Sequence, residues 1–180
     1  ELGVTAICFN ILLKTEGVSV ADDYYTKATD FIIAFYEQTK SLGIYEDRFM
    51  RKLSSFVNSK IYFSDCAATS GSQIVITPEG SVGICHGCME NRDYILGSVF
   101  DSDLIVEKNN EVIAWSRLSP VFKEECQSCP ALGICGGGCP INARKMATDD
   151  SINAIDRAFC IHAKMTLEYL IKELLRLLLL

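Results

Sequence analysis

A spaced series of seven cysteines constrains this chain more than any other feature of its sequence. The series has a leading pair, a run of spacing C-x2-C-x5-C-x3-C and one distant member: Cys66, Cys85, Cys126, Cys129, Cys135, Cys139 and Cys160. Thiolates suit iron–sulfur clusters and other soft metal centres, and a C-x2-C loop places two of them about one cluster edge apart. The spacing therefore predicts a fold organised around metal ligation.

The segment from Cys126 to Pro140 is typical of a ferredoxin cluster loop, including the proline directly after its last cysteine. In ferredoxins with two clusters, that last cysteine binds the other cluster. Glycines between the crossing ligands, at positions 136–138, would let the backbone pass close to inorganic sulfide. This predicts one cluster bound by Cys126, Cys129, Cys135 and Cys160, and a second bound by Cys66, Cys85 and Cys139.

The second predicted cluster is one protein ligand short. Cys88, three residues beyond Cys85, is the nearest candidate for the eighth position. His86 in the same loop is less favoured, because imidazole ligands at such clusters are largely confined to Rieske-type centres. The alternatives are that Cys88 is an ordinary buried thiol and that one iron stays open to water or to a substrate thiolate.

The cysteine spacing, together with the spacing Gly80-x4-Cys85, resembles the SPASM domain of radical S-adenosylmethionine enzymes. The resemblance implies two auxiliary [4Fe-4S] clusters with the partition just given, in an enzyme that modifies a peptide or protein substrate. It also implies that S-adenosylmethionine and a third [4Fe-4S] cluster bind to a C-x3-C-x2-C motif. Asn142 stands where Cys135 and Cys139 would require the third cysteine, so we expect that motif in a region preceding this chain.

Within this family the sequence favours one type of substrate. Sulfatase maturases carry another cysteine shortly after the first, whereas residues 67–72 contain none here. An incomplete cluster could bind a substrate thiolate, which favours a maturase that forms thioether bonds in peptides over a sulfatase maturase. We expect the isolated chain to be inactive, and the sequence names no catalytic residue.

Composition excludes several other classes of function. The chain carries 17 basic and 23 acidic residues, for a net charge of −6, and no basic cluster suited to nucleic acid. An odd number of cysteines with ligand-like spacing favours reduced thiols in the cytoplasm over disulfides in a secreted protein. The apolar end, 174–180, is too short to span a bilayer, which needs about 20 residues. We expect it to dock onto the rest of a longer enzyme or onto a second copy.

The expected fold class is α+β, built from the last strand–helix unit of a partial α/β barrel followed by a small cluster-organised domain and a long C-terminal helix. The barrel unit comprises a buried strand at 4–9 and a helix at 19–43, whose apolar face includes Phe31. The expected division of the chain is the barrel end at 1–43, a bridging helix at 44–65, the cluster domain at 66–160 and the C-terminal helix at 161–180.

Shorter elements are predicted within this frame. They are a helix at 46–57, a β-hairpin of strands 73–77 and 81–85 turned by Gly80, a strand at 94–99 and a helix at 112–118 that places Trp115 in the core. The C-terminal helix is expected to start from caps at Asp149, Asp150 and Ser151. Its predicted apolar stripe is Ile155, Phe159, Ala163, Leu167, Leu170, Ile171 and Leu174.

Two alternatives belong to other functional classes. One is a zinc-stabilised structural or interaction module, although such sites usually pair two C-x2-C knuckles. The other is a standalone electron carrier with two clusters, for which the leading strand and helix would be unnecessary. Visible colour with iron and acid-labile sulfide would exclude the zinc module, and an upstream C-x3-C-x2-C motif would exclude the carrier.

Overall fold

Helices form most of the framework of this protein. The computed structural model describes residues 3–12, 18–89 and 91–180, of which 48% are helical and 8% lie in strands. Residues 1–2 and 13–17, which belong to the predicted barrel unit, are outside the described residues, as is residue 90. The mixed helix-and-strand class is confirmed, including the small sheet and the long C-terminal helix.

The chain begins with a β–α–β unit. Strand β1 (Ala6–Ile7) pairs in parallel with β2 (Tyr45–Glu46), and helix α1 (Tyr24–Thr39) connects them. A 3-10 turn follows α1 and ends at Gly43, whose φ of 70° is the left-handed conformation that glycine adopts most easily. The strand predicted at 4–9 is present but has only two residues, and the prediction that it is buried was wrong, because Ala6 is exposed. No further strand of the described residues joins this pair.

Helix α1 starts later than predicted and buries only part of its predicted apolar face, which included Phe31 and Ile32. Its buried residues are Tyr25, Thr29, Ile32 and Thr39, because α7, described below, packs against that side. Phe31, predicted to face the core, is 57% exposed and touches Phe9 only edge-on, with ring centroids 5.2 Å apart.

Helix α2 (Asp47–Val57) was predicted correctly to within a residue. Its first turn is held by the Glu46 carboxylate, which accepts from the backbone N–H groups of Arg48 at 3.3 Å and Phe49 at 2.8 Å. Phe49 is fully buried and stacks on Tyr36, with ring centroids 4.2 Å apart. The helix thereby joins α1 in one core.

The predicted hairpin is present, with shorter strands. Strands β3 (Val75–Ile76), β4 (Ser81–Gly83) and β5 (Ile95–Ser98) form an antiparallel sheet in the order β3-β4-β5. Gly80 turns the hairpin with φ of +85°, and a Cβ there would lie 2.8 Å from the Phe100 ring. The turn returns the chain towards Cys66, as the spacing predicted.

Four further helices are short: α3 (His86–Met89), α4 (Asn110–Ser116), α5 (Leu132–Cys135), which packs against α2 and α7, and α6 (Pro140–Met146). Of these, only α4 was predicted. It begins two residues early, because the Asn109 side chain accepts from the Glu111 N–H at 2.9 Å. Trp115 is 2% exposed and meets Tyr94 edge-on at 5.1 Å, which confirms its place in the core.

The last element along the described chain is the long helix α7 (Arg157–Leu178). The predicted caps at Asp149, Asp150 and Ser151 were wrong. The N-cap is Asp156, whose carboxylate accepts from the Phe159 N–H at 3.1 Å. In consequence Ile155 of the predicted stripe precedes the helix. The last two stripe positions were also wrong, since Ile171 and Leu174 are 43% and 44% exposed beyond the last buried residue, Leu170.

The described residues form two hydrophobic cores. The first lies between α1, α2, α5 and α7 and includes Ile32, Phe49, Ile134, Ala163 and Leu170. The second lies beside the sheet and includes Val82, Ile84, Leu96, Trp115 and Ile141. In the part of the chain that the structure describes, no helix is long and apolar enough to cross a membrane.

Candidate metal centre

Four of the motif cysteines gather at the first core, and we call them the loop group: Cys126, Cys129, Cys135 and Cys160. Cys126, Cys135 and Cys160 line one narrow cavity. Burial raises the pKa of the Cys160 thiol to about 11, and the nearby Cys135 and Cys126 contribute. Cys129 lies close enough to raise the pKa of Cys135, on which burial is again the largest effect. The structure thus brings together the four cysteines predicted to share a cluster.

Local backbone structure positions these thiols. The N–H of Cys129 donates to the Cys126 carbonyl at 3.0 Å, which closes the C-x2-C turn, and Cys135 is the last residue of α5. Gly136 ends that helix in the left-handed conformation, with φ of +73°. Cys160 comes from another element, the first turn of α7.

The loop group has the sulfur ligands that a cluster needs, but the cavity between them is too small to hold one. The cavity measures about 20 Å³, which is the room that one water molecule needs. Its four sulfurs are the ligands that iron–sulfur clusters use. A four-iron cluster at this place would therefore have to spread the segments that carry Cys126, Cys135 and Cys160.

The remaining motif cysteines, which we call the hairpin group, gather at the second core: Cys66, Cys85 and Cys139. Burial raises the pKa of the Cys139 thiol to about 11, and the nearby Cys66 contributes. Burial likewise raises the pKa of Cys66, and the nearby Cys85 adds to it. Cys139 is thus a neighbour of Cys66, although Cys135, four residues earlier, belongs to the loop group.

Cys88 lies directly against the hairpin group. It is 3% exposed on α3, and its thiol lies close to that of Cys85, which is the main cause that lowers the pKa of Cys85. The N–H of Cys88 also donates to the Cys85 carbonyl at 3.1 Å. His86, by contrast, is exposed and lines a larger cavity together with Cys66 and Cys139. Cys88 is therefore better placed than His86 for an eighth ligand.

The glycines at 136–138 serve close packing of protein against protein. A Cβ on Gly136 would lie 2.7 Å from the backbone nitrogen of Asp65, and one on Gly138 would lie 2.6 Å from the Cβ of Phe159. All three residues have positive φ, which costs little only for glycine. Their absence of side chains lets the cysteine loop lie between α7 and the segment leading to Cys66.

Asp156 ties the two cysteine groups together, and its role was missed from the sequence. Its carboxylate accepts from the Cys139 N–H at 3.0 Å and from the Asn142 side chain at 2.9 Å. Its backbone oxygen accepts from the Cys160 N–H at 3.0 Å. One residue, 3% exposed, therefore fixes a hairpin-group cysteine and a loop-group cysteine at once.

Lys52 supplies a buried positive charge beneath the loop group. Its Nζ lies 3.2 Å from the Cys135 carbonyl oxygen and 3.6 Å from the Asp65 carboxylate, and the side chain is fully buried. Burial lowers the pKa of Lys52, which the Asp65 carboxylate opposes. Arg48 and Arg51 also pair with Asp65, at 3.3 and 3.7 Å. The burial of Lys52 could not be predicted from the sequence, because lysines are almost always exposed.

A cavity of about 370 Å³ opens beside the hairpin group. Cys66, Cys139 and His86 line it, and other parts of its wall come from the segment after β1 and from α1, α2, α6 and α7. Cys8 also lines it, as an exposed thiol 3.9 Å from an Asp47 carboxylate oxygen. The cavity is large enough for a small ligand.

The cysteine groups do not form a ready-made site for a metal ion. Among residues 3–12, 18–89 and 91–180, no group of three or more Cys, His, Asp or Glu could hold one. Zinc and iron–sulfur clusters both need three or four thiolates in a defined geometry. Binding of either would therefore require the segments that carry the cysteines to move.

No model of a known protein family matches this chain, and neither does any curated protein sequence.

Proposed function

We propose that this chain is the auxiliary-cluster part of a radical S-adenosylmethionine enzyme that modifies a peptide or protein, with a SPASM-type arrangement of two [4Fe-4S] clusters. One observation carries the proposal. Cys139 lies with Cys66, whereas Cys135, in the same loop, lies with Cys126 and Cys160. That crossover is what a ferredoxin-like loop with two clusters requires.

The residues that would hold the clusters are the two groups already defined. The loop group offers four thiols, and the hairpin group offers three, with Cys88 beside them. Such clusters, when bound, accept an electron from the reacting substrate or bind a substrate thiolate. The chain's own contribution is to set the positions of the thiols through Asp156 and to place the Lys52 ammonium close to one group. S-adenosylmethionine and a third cluster belong, in this proposal, to a preceding region.

The substrate class is a peptide or protein, and we favour thioether formation over sulfatase maturation. The cavity of about 370 Å³ supports this, because it opens on Cys66 and Cys139, the two hairpin-group thiols nearest to solvent. A reducing, cytoplasmic setting and self-association through the exposed leucines of α7 are further parts of the proposal. Leu175, Leu177 and Leu178 are 54%, 60% and 72% exposed, so this end of the helix has apolar surface to cover.

Anaerobic reconstitution with iron and sulfide tests the proposal. We expect about eight iron and eight sulfide per chain, as two [4Fe-4S] clusters require, with broad visible absorbance and a paramagnetic resonance signal on reduction. Cys8→Ala, which alters a cysteine outside both groups, should leave these amounts unchanged. A colourless sample that takes up zinc and no sulfide would overturn the proposal in favour of the structural module.

A further inference from the structure

One edge of the three-stranded sheet is closed by side chains. Along β5, the Asp101 carboxylate accepts from the Ser98 N–H at 2.7 Å. The Asn109 side chain donates to the Leu96 carbonyl oxygen at 3.2 Å. Proteins cover the edges of their sheets in such ways, because unpaired backbone groups of a strand pair readily with another chain. The β5 edge is therefore protected.

The opposite edge, formed by β3, is open. Alternate residues of an antiparallel strand turn their backbone groups to opposite sides. Val75 and Thr77 turn theirs towards β4, where the Thr77 N–H donates to the Ser81 carbonyl at 3.0 Å. The N–H and C=O groups of Ile74 and Ile76 consequently point away from β4. None of these four groups has a hydrogen-bond partner among the described residues.

The side chains at this edge are apolar and exposed. Ile74 and Ile76 are 47% and 55% exposed, whereas Val75 between them is partly buried. An open groove of about 530 Å³ lies beside the segment 70–74, which leads into β3. Its apolar wall consists of Ile74, Val106, Val112 and Ile113. Glu107 is the one charged residue that lines it within the part of the chain that the structure describes.

An extended peptide matches this surface. Its N–H and C=O groups turn to one side at every second residue, which is the spacing of Ile74 and Ile76. Its side chains alternate likewise, so one of them can enter the groove. Glu107 favours basic over acidic residues in the peptide. A second copy of the chain is a poorer match, because each copy carries a net charge of −6.

We propose that β3 is a docking edge for an extended segment of the substrate peptide, which adds as a strand beside Ile74 and Ile76 and places an apolar side chain in the groove. That the bound peptide is the substrate rests on the proposed function, whereas the open edge rests on the register of β3. The Ser70 N–H donates to the Cys66 carbonyl at 3.1 Å, so the groove begins one turn from a hairpin-group cysteine. Docking here leaves the cavity at Cys66 and Cys139 free, since no described residue lines both.

The test uses the full chain and the pentapeptide amide acetyl-Lys-Val-Thr-Val-Lys. Three further probes carry a methyl group on the backbone nitrogen of the second, third or fourth residue. Isothermal titration calorimetry should show alternation: either the second and fourth methylations weaken binding and the third does not, or the reverse. Each sensitive methylation should weaken binding by about 10-fold, as loss of one hydrogen bond does. The analogue with glutamate in place of both lysines should bind more weakly than the parent.

Substitution locates the effect on the chain. Ile76→Pro removes an N–H that points away from β4, and proline is tolerated at such an edge position. It should weaken binding of the parent peptide by about 10-fold, whereas Ile76→Val, which keeps the N–H, should change the affinity much less. Hydrogen exchange of the wild type is a second readout that needs no variant. At saturating peptide the amides of Ile74 and Ile76 should exchange about 10-fold more slowly. The amide of Thr77, already bonded to Ser81, should not change.

The inference is overturned if the peptide does not bind, if the methylation effects do not alternate, or if Ile76→Pro binds the peptide like the wild type. It is also overturned if the wild type sediments as a dimer that Ile76→Pro dissociates, because the edge then belongs to a second copy. Iron and sulfide, measured after reconstitution of the same chain, separate the two proposals. Full clusters without alternating effects overturn the docking edge alone. Alternating effects in a chain that assembles no cluster overturn the proposed function and leave the docking edge standing.

Discussion

The carboxylate of Asp156 accepts the backbone N–H of Cys139 at 3.0 Å, while the same carboxylate caps α7 through Phe159 at 3.1 Å. A carboxylate at a helix N-terminus is favourable in itself, because it pairs orphan N–H groups and faces the positive end of the helix dipole. Here it also holds the residue at which the cysteine loop crosses from one group to the other. The same carboxylate therefore fixes both the start of α7 and the point at which the cysteine loop crosses between the two groups.

Asp156→Asn should destabilise the chain by about 2 kcal/mol, because an amide has one acceptor oxygen where the carboxylate has two and turns an N–H towards a buried donor. Chemical denaturation would measure the loss. Asp150→Asn is the matched control, since Asp150 is an exposed carboxylate paired with Arg144 at 2.8 Å, and surface ion pairs contribute little to stability, so the loss should be much smaller. Equal losses in the two variants would contradict a special role for Asp156.

Lys52→Met should lower the reduction potential of the cluster bound by the loop group. Removing a buried positive charge near Cys135 disfavours the more negative, reduced state, by an amount on the order of 50–100 mV. Asp65 keeps Arg48 and Arg51 as partners, so the fold should survive. Potentiometric titration followed by paramagnetic resonance measures the shift. Lys60→Met, an exposed lysine just after α2, should leave the potential unchanged, and a similar shift in both variants would refute the assignment.

Elements with strong local signals could be predicted from the sequence, and those set by distant contacts could not. The hairpin turned by Gly80 and the core position of Trp115 follow from turn chemistry and helical periodicity. The start of α7 was missed because Asp149 and Asp150 resemble caps, whereas Asp156 is selected by its contact with Cys139. Local propensity carries no information about such a tertiary partner.

The polar residues of the candidate site show the same limit. A lysine at position 52 and an asparagine at position 142 fit exposed helical positions equally well, and only the assembled fold encloses them. Periodicity likewise cannot say how far a neighbouring element extends, which is why Ile171 was expected inside and is 43% exposed. The cysteine groups could be anticipated because ligand spacing along the chain restricts which thiols can meet.

Cys126→Ala and Cys139→Ala should damage different clusters, although the two cysteines lie in one loop. Loss of Cys126 removes a loop-group thiol, and loss of Cys139 removes a hairpin-group thiol. The iron content should fall in both variants, by up to about half. The residual cluster should give a different paramagnetic resonance spectrum in each variant. Indistinguishable residual spectra would mean that the partition is wrong.

Loss of the clusters should loosen the segment 66–160 and spare α1. Metal ligation contributes folding free energy to domains with few regular elements, and the segment has short helices and strands of two to four residues. Helix α1 instead packs on α7 around Ile32, which is 1% exposed. Hydrogen exchange with and without iron tests this. Equal protection of the segment in both states would show that it folds without the clusters.

Cys88→Ala decides whether the hairpin group leaves one iron open to substrate. We expect an open position, so the substitution should change iron content and the spectrum little, and a cysteine-containing peptide should perturb the spectrum of the wild type. The contact between the thiols of Cys88 and Cys85 does not require ligation, because a buried cysteine also serves as a small apolar residue. Ser72→Ala, which alters an exposed hydroxyl, controls for nonspecific effects. If instead Cys88→Ala loses its cluster and the peptide leaves the wild-type spectrum unchanged, Cys88 is the eighth ligand and the cluster is confined to electron transfer.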